Sequence, residues 1–368
     1  MYRSSKIMGS SKRSIVLVIL TSLLISCVSA SPTQSPIPLS PSVSTPTSPA
    51  PISIQSSPTK TARPSNETSP TTTPETDVTI PVVTPSVGGT TIKTVFIILM
   101  ENHNWSDIYK SSSAPYINQT LLPQASYATQ YFNPPGNHPS EPNYLWLEAG
   151  TAFGISHDSS PSKDYQTTTD HLVAYLDKAG VTWKSYQEDI SGLDCPLKSK
   201  GLYAPKHNPM VYFSDVTNTN DLNSAYCIAH VRPFTELQAD LKTGSTVQYN
   251  FITPNLCNDM HNSDGCQTQD SVKNGDTWLS EQVPMIMDSA AYKQGGVIFL
   301  TWDESEDGDN PIGMIVISSA AKGGGYSNTI HYTHSSTLRT IEEIFNITPL
   351  LGDAAKAKDL SDLFRTFP

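Results

Sequence analysis

Four short runs of apolar, largely β-branched and aromatic residues govern what this chain can fold into. They are "TVFIILM" (94–100), "VQYNFIT" (247–253), "GGVIFLTW" (295–302) and "GMIVISS" (313–319). Each reads as a strand buried on both faces, the condition of a parallel sheet held between helices. Helical patterns fall between and around them, at 141–149, 169–179, 276–289 and 336–345. Strands alternating with helices predict an α/β fold: a three-layer α/β/α sandwich with a mainly parallel central sheet. No internal repeat interrupts the pattern.

The residues that follow the strands carry the chemistry. The first run ends on Glu101-Asn102, the third on Asp303-Glu304, and the second leads into "PNLCNDMH" with Asp259 and His261. Sites of open α/β sheets lie beyond the carboxyl ends of the strands, so three strands deliver acids, an amide and an imidazole to one edge. Carboxylates packed together repel, and a divalent cation relieves the repulsion; oxygen ligands suit a hard or borderline metal. Glu101, Asn102, Asp303 and Glu304 are therefore candidate metal ligands. The alternative is that Glu101 and Glu304 are solvated loop acids.

A further stretch, "GNHPSEPNYLWLEAG" (136–150), places Ser140 at the mouth of a helix between Pro139 and Pro142. Ser140 can be an N-cap, with Pro142 tolerated in the first turn and Gly150 stopping the helix. A helix N-terminus also favours an anion, and a serine oxygen becomes a useful nucleophile when a base or metal activates it. The strand-end acids supply the means, since a cation there can bind the serine and a phosphoryl oxygen together. Imidazoles nearby can hold the remaining oxygens or protonate a leaving alcohol.

The N-terminal part is different in kind. Arg3, Lys6, Lys12 and Arg13 precede an apolar run, "IVLVILTSLLIS", too short for a spanning helix of about 20 residues and suited to a secretory signal. Its end, "LISC", resembles a bacterial lipobox, which would make Cys27 a lipidated N-terminus; cleavage after Ala30 is the alternative. From 28 to 90 the chain is rich in Pro, Ser and Thr and too poor in aliphatic residues to offset its ordering entropy. The organisation expected is a signal peptide over 1–27, a disordered linker over 28–90 and one globular domain over 91–368. The protein is expected to be exported and held at the cell surface through Cys27, or else secreted.

Charge and cysteine content narrow the partners and the compartment. The chain carries 34 Asp and Glu against 23 Lys and Arg, a net charge of −11, which disfavours nucleic acid as a partner. Cys195, Cys227, Cys257 and Cys266 are an even number in the domain and suggest two disulfides in an exported protein. Cys257 with Cys266 would close a small loop and Cys195 with Cys227 a longer one, among three possible pairings.

In their order along the chain, "ILMENHNW", "HPSEPNYLWLEAG", "FITPNLCNDMH", "GDTWL", "FLTWDESEDG" and "THSSTLRTIEEIF" resemble a known family. It is the phosphoesterase family of bacterial secreted acid phosphatases and phospholipases C, within the alkaline-phosphatase-like superfamily. The resemblance covers nearly all of 92–352. It implies an alkaline-phosphatase-like fold, hydrolysis of phosphoric esters, and a divalent metal held by Glu101, Asn102, Asp303 and Glu304. It also implies a nucleophile at Ser140, in a Ser-x-Pro-Asn pattern with Pro142 and Asn143. Phosphate-binding histidines are implied at His261 and His334, with His138 a third candidate beside the nucleophile. The implied substrate is a small phosphorylated molecule or a phospholipid headgroup, phosphoinositides included.

One departure bears on substrate. The phospholipase-like relatives follow the acid pair with Gly-Gly-Phe and a further Asp-His, whereas this chain reads "DESEDGDNP". That favours a phosphomonoesterase over a phospholipase C-type phosphodiesterase. A sulfatase would want Arg where Tyr144 stands. A catalytically inactive binding lipoprotein is disfavoured by the joint presence of Glu101, Asn102, Ser140, Asp303 and Glu304. His157, His171, His207 and His230 read as surface or structural residues, and Asp259 as a partner of His261 or a turn cap. Trp105, Trp146 and Trp278 read as core, and Asp307 and Asp309 as solvated loop acids.

Overall fold

A computed structural model describes residues 92–368, so the expected signal, Cys27 and linker lie outside the described residues. The described strands are β1 (Thr94–Met100), β2 (Ser126–Ala128), β3 (Tyr131–Phe132), β4 (Trp183–Gln187) and β5 (Val231–Pro233). They continue with β6 (Tyr249–Thr253), β7 (Gly296–Trp302), β8 (Met314–Ser318), β9 (Tyr326–Asn328) and β10 (Tyr332–Thr333). Eight form one sheet in the order β5-β4-β6-β1-β7-β8-β2-β9, while β3 and β10 pair separately.

Every residue of β1, β6 and β7 is buried. Because successive side chains of a strand point to opposite faces, the centre of the sheet is covered on both sides, as the sequence predicts. Burying Val95 to Met100 stabilises the fold by about 1.5–3 kcal/mol for each large apolar side chain, enough to hold a costly polar edge just beyond them. β5, β4, β6, β1 and β7 run parallel, as do β2 and β9. β8 departs from this rule and runs against both β7 and β2. Residues 303–313 between β7 and β8 contain no helix, and a parallel return needs a longer crossover.

The helices fall near their predicted places, at Ser140–Ala149, Leu172–Lys178, Ser271–Asp288 and His334–Ile344. A further helix, Phe234–Thr243, was not marked by the sequence pattern. Ser271–Asp288 begins five residues ahead of its apolar periodicity because Asp270 caps it, accepting from the Lys273 N–H at 3.0 Å. Gly150 ends Ser140–Ala149 in a left-handed conformation with φ of 68°, and a Cβ there would lie 2.7 Å from the Leu351 carbonyl oxygen. Both expected disulfides are formed, Cys195–Cys227 and Cys257–Cys266. Among the described residues no helix is long and apolar enough to cross a membrane.

Candidate active site

β6, β1 and β7 are neighbours, and their carboxyl ends meet at one edge. Glu101 follows β1 directly and Asp303 follows β7. The backbone ties continue past the strands: Asp303 N–H donates to the Met100 carbonyl at 2.9 Å, and Glu101 N–H to the Asp259 carbonyl at 2.7 Å. Asn102 takes a φ of 35°, on the left-handed side that Asn tolerates better than most residues. Its backbone N–H donates to Asp303 Oδ1 at 3.0 Å, and its side-chain amide donates to Glu304 Oε1 at 3.1 Å.

Ser140 is the first residue of its helix rather than its cap. Pro139 holds the N-cap position, no side chain caps the helix, and Ser140 Oγ donates to Glu101 Oε2 at 3.1 Å. The other oxygen of Glu101 accepts from Tyr144 Oη at 2.5 Å. Asn143 Nδ2 faces the Asn137 carbonyl at 2.7 Å, the Pro139 carbonyl at 3.1 Å and Glu304 Oε2 at 3.3 Å. It therefore ties the loop leading to Ser140 onto the acid pair. His138 sets Nδ1 2.5 Å from Glu304 Oε2 and Nε2 3.1 Å from the Gly308 carbonyl, with its ring partly exposed.

Electrostatics at this edge are severe. Burial, reinforced by the charges of Asp303 and Asp259, pushes the Glu101 carboxyl well above the usual range. Burial and then Glu304 raise Asp303 to about 8, while burial and then Asp158 raise Glu304 to about 7. Asn102 Oδ1 and Asp303 Oδ2 are buried without a hydrogen-bond partner. Orphaned buried acceptors of this kind cost about 1–3 kcal/mol each unless something positive meets them. Unpaired oxygens among mutually repelling carboxylates fit a divalent cation. Lys206, bonded to Asp158 at 2.7 Å, adds a positive charge that partly offsets those of Glu101 and Glu304.

The implied histidines are placed unequally. His261 is exposed, on a turn that Asp259 Oδ1 holds by accepting the His261 N–H at 2.8 Å. His334 is fully buried: Nε2 donates to the Asp303 carbonyl at 2.5 Å, and Nδ1 accepts from Tyr131 Oη at 3.1 Å. Burial lowers its pKa to about 4, so the ring is neutral with both nitrogens engaged. His334 thus supports the Asp303 backbone from behind, with neither ring nitrogen turned to Ser140.

His207 is the converse case, a residue the sequence reading set aside as surface or structural. It is buried, stacked on Tyr144 with ring centroids 5.2 Å apart, and its Nε2 lies 3.2 Å from Glu101 Oε2. Its Nδ1 lies 3.5 Å from Asp259 Oδ2, so Asp259 both holds the His261 turn and faces His207. Ligand atoms of Glu101, His207 and Asp259 come within 4.8 Å of one another, a closeness that Glu101, Asp303 and Glu304 do not reach together. A signal was available: Pro205 and Pro209 bracket Lys206-His207 much as Pro139 and Pro142 bracket Ser140. Of the remaining residues, His171 is buried between Glu148 and Asp215, and Trp146 is half-buried, donating to Ser335 Oγ at 2.8 Å.

Fold and site together set a serine, a group of buried carboxylates and several imidazoles at one edge of a mainly parallel sheet. The model of the phosphoesterase family matches residues 107–348. A phosphatidylinositol-3-phosphatase of Mycobacterium tuberculosis is 30% identical over 271 residues, 73% of this chain and 82% of that protein. A probable acid phosphatase of Kluyveromyces lactis is 26% identical over 284 residues, 73% of this chain and 62% of that protein. A solved structure of a protein in the alkaline phosphatase superfamily from Vibrio parahaemolyticus is 12% identical. It covers 73% of this chain and 70% of that one, with a TM-score of 0.49. The chain belongs to the phosphoesterase family. It is a hydrolase acting on phosphoric ester bonds, as the sequence resemblance implies.

Proposed function

We propose that this chain hydrolyses phosphate monoesters in two steps through a phosphoserine at Ser140, with a divalent cation held by Glu101, Asn102, Asp303 and Glu304. The observation that carries the reading is the Ser140 hydroxyl, 3.1 Å from Glu101 Oε2 in the first turn of a buried helix. In the first step Oγ attacks phosphorus, the bond to the leaving oxygen breaks, and the leaving alkoxide takes up a proton. Glu101 Oε2, which already accepts the serine hydrogen bond, receives the hydroxyl proton. In the second step water attacks the phosphoserine, releasing inorganic phosphate and restoring Ser140. A cation held by these four residues would supply Lewis-acid polarisation of the phosphoryl group and favour ionisation of the serine hydroxyl. Asn143 fixes the approach to Ser140, and His138 and His261 are the imidazoles able to meet the leaving alcohol or a phosphoryl oxygen.

The relatives named phosphatidylinositol-3-phosphatase and acid phosphatase support a phosphorylated small molecule or a phosphoinositide headgroup as substrate. We read 91–368 as the catalytic domain, exported behind a signal over 1–27, lipidated at Cys27 and carried on the 28–90 linker. Two disulfides support export, since such bridges persist in oxidising compartments. The test is acid quenching during turnover of a chromogenic monoester, followed by mass spectrometry. Phosphate on the peptide containing Ser140 supports the reading. A Ser140→Ala protein with undiminished turnover and no trapped phosphate overturns it. Mass spectrometry of the mature N-terminus tests the anchor, which an unacylated start beyond residue 27 would exclude.

A further inference from the structure

A hollow of about 410 Å³ borders the site and has no part in the chemistry described so far. Its walls include Asp158, Ser159, Lys198, Ser199, Pro205 and Lys206, none of them a candidate ligand or nucleophile. We propose that this hollow binds a second phosphate group of the substrate, with Lys198 and Lys206 as its cations. The inference rests on the reading of the chain as a phosphomonoesterase, and it narrows the substrate to esters that carry two phosphate groups.

The sequence sets the charge. From Cys195 to Ser214 the chain holds Lys198, Lys200 and Lys206 and no acid, although the protein carries a net charge of −11. Such a local excess favours an anion where the rest of the surface repels one. Lys206 Nζ donates to Asp158 Oδ2 at 2.7 Å and, among the described residues, to nothing else. A lysine ammonium has three N–H donors, so the others remain for a ligand. Lys198 is exposed and forms no ion pair among the described residues. The carboxylate in the wall is already engaged: one oxygen of Asp158 accepts from Lys206 and the other from the Glu141 N–H at 3.0 Å.

Position ties the hollow to the reaction. Glu141 follows Ser140 and is clamped in both directions to one wall: its N–H goes to Asp158, and its Oε2 accepts from the Ser159 N–H at 2.6 Å. Another wall, Pro205 and Lys206, runs into His207, whose Nε2 lies 3.2 Å from Glu101 Oε2. A phosphoryl group at Ser140 thus has the remainder of its ester beside the hollow. Leu197 and Pro205 offer an apolar surface to the carbon frame between two phosphates. Charge-assisted contacts to the far phosphate hold the ester without touching the reacting atoms, so they act on KM more than on kcat.

The experiment measures kcat and KM of full-length protein for alkanediol bisphosphates, propane to hexane, beside alkyl monophosphates of the same lengths. A further arm uses each bisphosphate with one phosphate methylated, the diester form that a lipid headgroup presents. The expected result is a kcat/KM about tenfold higher for the bisphosphate or its methyl ester at one or more lengths, carried in KM, as one charge-assisted contact supplies. The better of the two arms distinguishes a free phosphate from a headgroup diester. Lys198→Gln should abolish the advantage and leave the monophosphates unchanged, while Lys198→Arg should retain it. No advantage at any length, an advantage that survives Lys198→Gln, or a loss equal on both kinds of ester overturns the subsite and leaves the monoesterase reading standing. Should no ester release phosphate, the monoesterase reading fails, and isothermal titration with the bisphosphates decides the subsite. Binding that Lys198→Gln weakens about tenfold upholds it, and binding that is absent or unchanged overturns it.

Discussion

Ser140 and Glu101 stand 39 positions apart in the chain and 3.1 Å apart in the site, one opening a helix and the other closing β1. The contact joins the end of a fully buried strand to a helix whose own N-terminus the serine does not cap. Function and stability are therefore separable at this position.

Ser140→Ala should lower turnover of a chromogenic monoester by about 10³-fold or more, as loss of a nucleophile does. Its melting curve should change by no more than about 1 kcal/mol, because one hydrogen bond is lost and Glu101 keeps Tyr144. Parallel assays of rate and thermal unfolding check the pair of outcomes. A variant that keeps a tenth of the wild-type rate rules out the nucleophile.

Asn143 gives a sharper contrast between two substitutions. Its Nδ2 donates toward three oxygens, those of Asn137, Pro139 and Glu304. Asn143→Ala removes the donor and should cost about 1–3 kcal/mol. Asn143→Asp keeps the shape but sets a carboxylate against the same oxygens, so it should be the more damaging in both stability and turnover. Denaturant titration of the two proteins decides it, and an Asp variant as stable as wild type would refute the assignment.

Stability should depend on pH through His171. Burial pulls its pKa down, but hydrogen bonds to Asp215 and Glu148 outweigh that and raise it to about 9. A raised folded-state pKa stabilises fully below the unfolded value near 6.5 and is lost as pH rises through about 9. Glu148, itself raised by burial, also binds its proton more tightly in the folded state, so it too makes stability fall as pH rises through its own range. Melting temperatures between pH 6 and 10 should fall in wild type and flatten in His171→Gln over that window. A slope equal in both proteins would exclude the histidine as its source.

The two disulfides should differ in the stability they confer. The bridges close separations of 32 residues for Cys195–Cys227 and 9 for Cys257–Cys266. Loop-closure entropy then predicts roughly 3–4 kcal/mol lost on replacing the first pair by serine, against roughly 2–3 for the second. Guanidinium unfolding of the two double variants measures the order, and a reversal would show that chain entropy is not what the bridges act through.

Much of the sheet is legible in the sequence for a plain reason. β1, β6, β7 and β8 lie in long apolar runs, so their burial follows from composition. β4 carries Lys184, Ser185 and Gln187, and β2, β5 and β9 have three residues each. Those become strands through the neighbours they pair with, which no local pattern records. The same division runs through the site. Glu101, Asn102, Asp303, Glu304 and Ser140 follow strands or open a helix, positions that sequence marks. His207 sits on one short turn, and a tyrosine from a distant helix makes it a buried residue. His334 opens the last long helix and so resembles a ligand, but tertiary packing turns its ring to a backbone carbonyl.

His207 lies inside the loop that Cys195 and Cys227 close, and Asp259 and His261 lie inside the one that Cys257 and Cys266 close. Two of the segments that meet around Glu101 are thus tied covalently, while the helix that carries Ser140 and Tyr144 is not. Such ties form in oxidising compartments and are rare among cytosolic thiols. A copy still inside the cell would have a finished sheet and loosely held histidines at its edge. On the proposal that the protein is exported, the bridges would form only after it leaves the cytoplasm, and closing them would be a maturation step.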